Sequence, residues 1–98
     1  MPAKIAKNNT SIEVKLVGRL DMEASIQVGE EIEKVLTGEI LSVTFDMSEL
    51  QYLSSSGIRV LVSAAKEMHN RGGKIDVVNY NPSIKKILDV TDFFSICG

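Results

Sequence analysis

The spacing of apolar residues switches repeatedly between the period of a strand and that of a helix, and glycine or Asn-Pro stands at most of the switches. Ile12-Glu13-Val14-Lys15-Leu16 alternates apolar and polar, as a strand with one buried face does, and Gly18 is expected to end it. Ala24, Val28, Ile32, Val35 and Leu36 then fall on one helical stripe as far as Gly38, behind Asp21 as a capping residue and Glu23 in the first turn. Ile40-Leu41-Ser42-Val43-Thr44-Phe45 is a short β-branched and aromatic run suited to a central strand. Asp46-Met47-Ser48-Glu49-Leu50 is expected to turn the chain. Ile58, Leu61, Val62, Ala65 and Met68 return to helical spacing until Gly72-Gly73, which suits a left-handed helix end. Lys74 to Val78 reads as another strand, and Asn81-Pro82 opens a third helix whose apolar face carries Ile84, Ile87 and Leu88.

Strands that alternate with helices imply an α/β fold in which parallel strands are joined by right-handed crossovers and helices cover the sheet. The expectation is a mixed sheet of four or five strands. A length of 98 residues accommodates one domain, spanning residues 1–98, and 44% hydrophobic with 24% charged residues is ordinary globular composition. Met1 to Asn9 and the tail after Thr91 carry the weakest patterns.

Several function classes fall away. A formal net charge of −2 does not suit a surface that neutralises nucleic-acid phosphates, so no nucleic-acid partner is expected. The lone Cys97 has no partner for an intramolecular disulfide and no apolar leader follows Met1, which fits a cytoplasmic protein. No run approaches the ~20 apolar residues that cross a bilayer, so direct membrane insertion is not expected. His69 is the only histidine, late in a helix beside Asn70 and Arg71, and reads as a helix-end residue rather than a metal ligand or base. Asp21 and Asp46 could face each other at strand ends, but carboxylates in turns and caps are routine. Gln27, Glu30, Glu31, Glu33 and Lys34 form the solvated face of the first helix. The motifs GxGxxG, GxxxxGKS/T and GxSxG are absent. The residues therefore point to no enzyme, no metal and no cofactor.

The stretch that remains is Tyr52-Leu53-Ser54-Ser55-Ser56-Gly57, three serines in a strand-to-helix turn. Amides at such a turn point outward at the positive end of the helix dipole, where an anion is favoured. Serine is also a preferred N-cap, and a tight turn accepts small residues. On the residues alone both roles stay open.

Asp46 to Ile96, "DMSELQYLSSSGIRVLVSAAKEMHNRGGKIDVVNYNPSIKKILDVTDFFSI", resembles the core of the STAS domain of bacterial anti-sigma factor antagonists, and Gly18 to Ser25, "GRLDMEAS", resembles that family's approach to its first helix. In the family the turn reads Asp-Ser-Ser-Gly, and the serine after the aspartate accepts phosphate from a partner that is both anti-sigma factor and serine kinase. Aligned through Gly57, the resemblance makes Ser55 the phosphoacceptor and puts Ser56 at the second serine, while Ser54 stands where the family has aspartate. It further implies a partner-binding patch of Asp21, Ser54, Ser56, Gly57, Ile58, Arg59 and Ser63, and a serine phosphatase as a second partner. The chain is expected to lack or truncate the family's final helix. Two alternatives stand beside this expectation. One is a STAS module without phosphorylation, acting as a scaffold in a signalling complex or as a soluble subunit of a transport system. The other is a small enzyme or nucleotide-binding protein using the serine turn as an anion cradle.

Overall fold

A computed structural model describes residues 2–97, with the side chains of residues 96 and 97 left aside. The elements run β1 (Ala3–Asn8), β2 (Ser11–Leu20), α1 (Met22–Val35), β3 (Ser42–Leu53), α2 (Ser55–Asn70), β4 (Lys74–Val78), α3 (Pro82–Val90) and α4 (Phe93–Cys97). The strands form one sheet in the order β1-β2-β3-β4. β1 pairs antiparallel with β2, and β2 with β3 and β3 with β4 are parallel. The sheet is therefore mixed and four-stranded among the described residues, and α1 and α2 are its crossovers. The expectation of a truncated final helix concerns the chain past Cys97 and lies outside the described residues.

The helix starts follow their capping chemistry. Asp21 Oδ1 accepts from the amide of Ala24 at 2.9 Å, and Asn81 Oδ1 from that of Ile84 at 2.9 Å with Pro82 at the first helical position. At the end of α2 Gly72 takes φ +70°. Its amide donates to His69 O at 3.1 Å and that of Gly73 to Met68 O at 2.7 Å, the paired closure of a Schellman end. Arg71 fastens this end to the loop after α1 by donating to Thr37 O at 2.6 Å and Ile40 O at 3.2 Å. His69 is exposed in the last turn.

Two expectations need correction, and the segment of weakest pattern proves to hold a strand. β1 lies in the segment of weakest pattern: Ala3-Lys4-Ile5 alternates, but Ala6 followed by Lys7 breaks the alternation, and as an edge strand it buries only Ala3 and part of Ile5. Gly18 does not end β2, because its φ of +74° absorbs an irregularity in the pairing and the strand continues to Leu20. Asp46 to Leu50 does not leave the sheet. β3 runs on to Leu53 and holds extra residues against β2, the partners stepping from Lys15↔Asp46 to Val17↔Glu49 and from Gly18↔Leu50 to Arg19↔Tyr52. Asp46 Oδ1 accepts from the amide of Ser48 at 2.9 Å, so the turn chemistry is present but is folded into a bulge.

Ile12, Val14, Leu16 and Leu20 of β2 and Val43, Phe45, Met47, Leu50 and Leu53 of β3 enter one core with Val28, Ile32, Leu61, Ala65, Met68, Ile84, Leu88 and Phe93 from the helices. Close approach is enforced at Gly73, where an added Cβ would lie 2.5 Å from Met68 Cε and 2.7 Å from the backbone oxygen of Leu41. Gly38 has open space instead. Gly73→Ala is expected to lower stability by about 1–3 kcal/mol in urea unfolding, and Gly38→Ala to change it by less than about 0.5 kcal/mol.

Asp46 is nearly buried and also accepts from Asn79 Nδ2 at 3.2 Å. The Ser48 amide, against the opposing effect of burial, holds its carboxyl below the usual carboxylate range. A carboxyl that titrates lower in the folded chain stabilises fully above its unfolded pKa, and loses that contribution as pH falls through its folded value. Stability of the parent should therefore drop below about pH 4, and Asp46→Asn should flatten that acid limb in urea midpoints measured against pH. Parallel limbs would exclude Asp46 as the linked group.

Candidate functional site

The serine turn is built on the ends of two parallel strands. Leu20 and Leu53 are register partners, and each is followed at once by a helix cap, Asp21 for α1 and Ser54 for α2. The Leu20 carbonyl accepts from the Ser54 amide at 3.0 Å and from Ser54 Oγ at 2.7 Å. Ser54 Oγ in turn accepts from the Gly57 amide at 3.1 Å, and the Ile58 amide donates to Ser54 O at 3.0 Å to begin the helix. One hydroxyl thus serves as donor to the neighbouring strand and as N-cap acceptor. On α1, Ser25 is buried and its hydroxyl donates to Asp21 O at 2.5 Å.

Gly57 suits this arrangement, since a Cβ there would stand 2.7 Å from Leu53 Cδ1 and 2.9 Å from Leu20 Cδ2 and those side chains would have to shift. Its absence seats the first turn of α2 directly on the strand ends. Ser55, the first residue of α2, is exposed and its side chain forms no hydrogen bond among the described residues. Ser56 is half-buried and lines a groove of about 440 Å³ between α1 and α2, with Met22, Ile26 and Arg59. The opening turn of α2 holds no acidic residue, so the positive end of its dipole is uncompensated there.

The residues singled out in the sequence divide in two. Asp21, Ser55, Arg59 and Ser63 are exposed, with Ser54 and Ser56 partly so, and they share the α1/α2 side of the molecule around the turn. Gly57 and Ile58 are buried against the strand ends and the core, as is Leu61. The expectation that Gly57 and Ile58 offer surface to a partner is corrected, because the periodicity of α2 turns that side inward together with Leu61. Asp21 and Asp46 form no acid pair either: Asp46 sits opposite Lys15, well before the end of β3.

Other features of this surface escaped the sequence pattern. Met22 and Ile26, one turn apart on α1, are 67% and 60% exposed, and both lie off the Ala24, Val28, Ile32 stripe, which was their signal. On the other side of the turn the Arg19 guanidinium lies 4.3 Å from the centre of the Tyr52 ring, a pairing of adjacent strands that depends on the bulged register. Among the described residues no three His, Cys, Asp or Glu side chains are grouped to hold a metal ion. No described helix is long and apolar enough to cross a membrane.

Comparison with known proteins agrees with this architecture. An anti-sigma F factor antagonist of Paenibacillus polymyxa is 27% identical over 84 residues, covering 85% of this chain and 72% of the relative. The structure of the anti-sigma factor antagonist SpoIIAA in its unphosphorylated form superposes with a TM-score of 0.77 at 19% identity, covering 89% of this chain and 81% of that one. The phosphorylated form of the Bacillus cell fate determinant SpoIIAA gives 0.75 at 18% identity, over 91% and 82% of the two chains. The family model described as the STAS domain matches residues 2–97, and the chain belongs to the STAS domain family.

Proposed function

We propose that this protein is an anti-sigma factor antagonist that captures an anti-sigma factor with serine kinase activity and is switched off by phosphorylation of Ser55. The observation that carries the reading is an exposed hydroxyl at the first position of α2, held forward by a capped turn whose helix packs closely on the strand ends through Gly57. SpoIIAA has been solved in both an unphosphorylated and a phosphorylated form, and this chain's fold superposes on both. In this reading the protein is a cytoplasmic interaction module, not an enzyme, and a serine phosphatase restores it.

The physical logic is a separation of folding from binding. A phosphoserine brings about −1.5 to −2 charge at neutral pH. At an exposed helix start that charge is favourable by about 0.3–1 kcal/mol, so the fold is kept. Inside a partner interface an uncompensated dianion is strongly unfavourable, and about 1.4 kcal/mol is already tenfold in affinity. The patch for the partner comprises Asp21, the turn at Ser54 to Ser56, Arg59 and Ser63, widened by the exposed Met22 and Ile26.

The unphosphorylated scaffold, or transport subunit, keeps one specific point in its favour, the serine at 54. An aspartate there could still cap the Gly57 amide, but an ionised carboxylate could not donate to Leu20 O as Ser54 Oγ does. Incubation with the cognate kinase and ATP, followed by mass-spectrometric mapping, is expected to place phosphate on Ser55 alone. Ser55→Ala should bind the partner and resist inactivation, and Ser55→Asp should bind at least tenfold more weakly, a change of about 1.4 kcal/mol. Phosphate on Ser54, or on none of the three serines with a kinase proven active, would transfer the assignment to the scaffold. Faster transfer to a Ser54→Asp variant would show that a carboxylate beside the acceptor assists the kinase.

A further inference from the structure

We propose that Arg59 is the counter-charge within this chain for a phosphate on Ser55, so that phosphorylation withdraws a cation from the binding surface at the same time as it adds a dianion. The inference rests on the reading of Ser55 as phosphoacceptor and assigns the residue that receives the new charge. Ser55 and Arg59 are four residues apart on α2 and both are exposed. That spacing places Cβ atoms about 5–6 Å apart on one helix face, with the anion N-terminal to the cation, which is the favourable order.

Arg59 is uncommitted, unlike four ion-paired cations of the fold. Lys7, Lys15, Arg71 and Lys85 pair with Glu39, Glu49, Glu67 and Asp89, whereas Arg59 has no ion pair and no hydrogen bond among the described residues. The acids that face it are Glu30 and Glu33 of α1, on the opposite wall of the groove that Arg59 and Ser56 line, and neither comes within ion-pair distance. A guanidinium fork can hold two oxygens of one phosphate, which a single ammonium point charge cannot do with the same geometry. Before modification the same fork is free to meet a carboxylate or carbonyl of a partner. After modification it is held by the phosphate, and the partner loses an attraction as well as meeting a repulsion.

The test installs phosphoserine at position 55 during translation by genetic encoding, which requires no kinase, and follows its second ionisation by phosphorus NMR. An unperturbed phosphoserine titrates near ~6. The second pKa in the parent is expected to lie about 0.3–1 unit below that in an Arg59→Gln variant, a gap that closes in molar salt. Arg59→Lys should fall between them. Coincident titrations of parent and Arg59→Gln, or a lower pKa in the variant, would overturn the assignment. Because Arg59 is exposed, both variants should fold, and amide chemical shifts report this directly in the same samples. Failure of kinase transfer to Ser55 would remove the switch without altering this titration, so the two ideas fail separately.

Discussion

The Leu20 carbonyl is the joint on which this surface depends. It receives both the amide and the hydroxyl of Ser54, and so locks the end of β3 to the end of β2 at the point where both strands pass into helices. A strand end normally leaves such a group to water. Here it fixes where α2 begins, and the same hydroxyl caps the helix it has positioned. Ser55 is displayed because the residue before it is fully occupied.

Behind that joint the packing is closed. Gly57 lets the first turn of α2 rest on the Leu20 and Leu53 side chains, and Ile58 and Leu61 follow into the core. The outer side of the same two turns carries Ser55, Arg59 and Ser63 in solvent. Charge can therefore be added on one side without disturbing the other, since a core exchanges little with a surface group that touches none of it. On the proposed reading, a modification at this position would act on recognition and leave the fold unchanged. Charge added on the α2 wall of the groove would instead face Glu30 and Glu33 of α1.

Much of the element order was legible because it is local. Capping at Asp21 and Asn81, the glycine pair after α2 and the run Lys74 to Val78 depend on neighbours within a turn, and each is found where its residues place it. β1 was hard to read because an edge strand needs little buried surface, and its alternation lasts only from Ala3 to Ile5 before Ala6-Lys7 interrupts it. The continuation of β3 was hidden for the opposite reason: Asp46 and Ser48 do form the turn contact they advertise, and it is the resumed pairing with β2 from Glu49 to Leu53, past the last partner on β4 at Asp46, that keeps the chain in a strand.

For the site, the sequence alone determined that three serines would open a helix before a glycine, since composition and apolar spacing suffice to specify that turn. It also carried the resemblance that singles out Ser55. The tertiary structure decided which side each residue of that helix faces, withdrawing Gly57 and Ile58 from the surface and leaving Arg59 open beside Ser55. It decided that Ser54 is a tie to Leu20 as well as a cap, and that Met22 and Ile26 stand next to the turn. These facts depend on segments more than thirty residues apart coming together, Ser54 bonding to Leu20 and Met22 sharing a groove with Ser56, and no local spacing contains the register of β2 on β3 that brings them together.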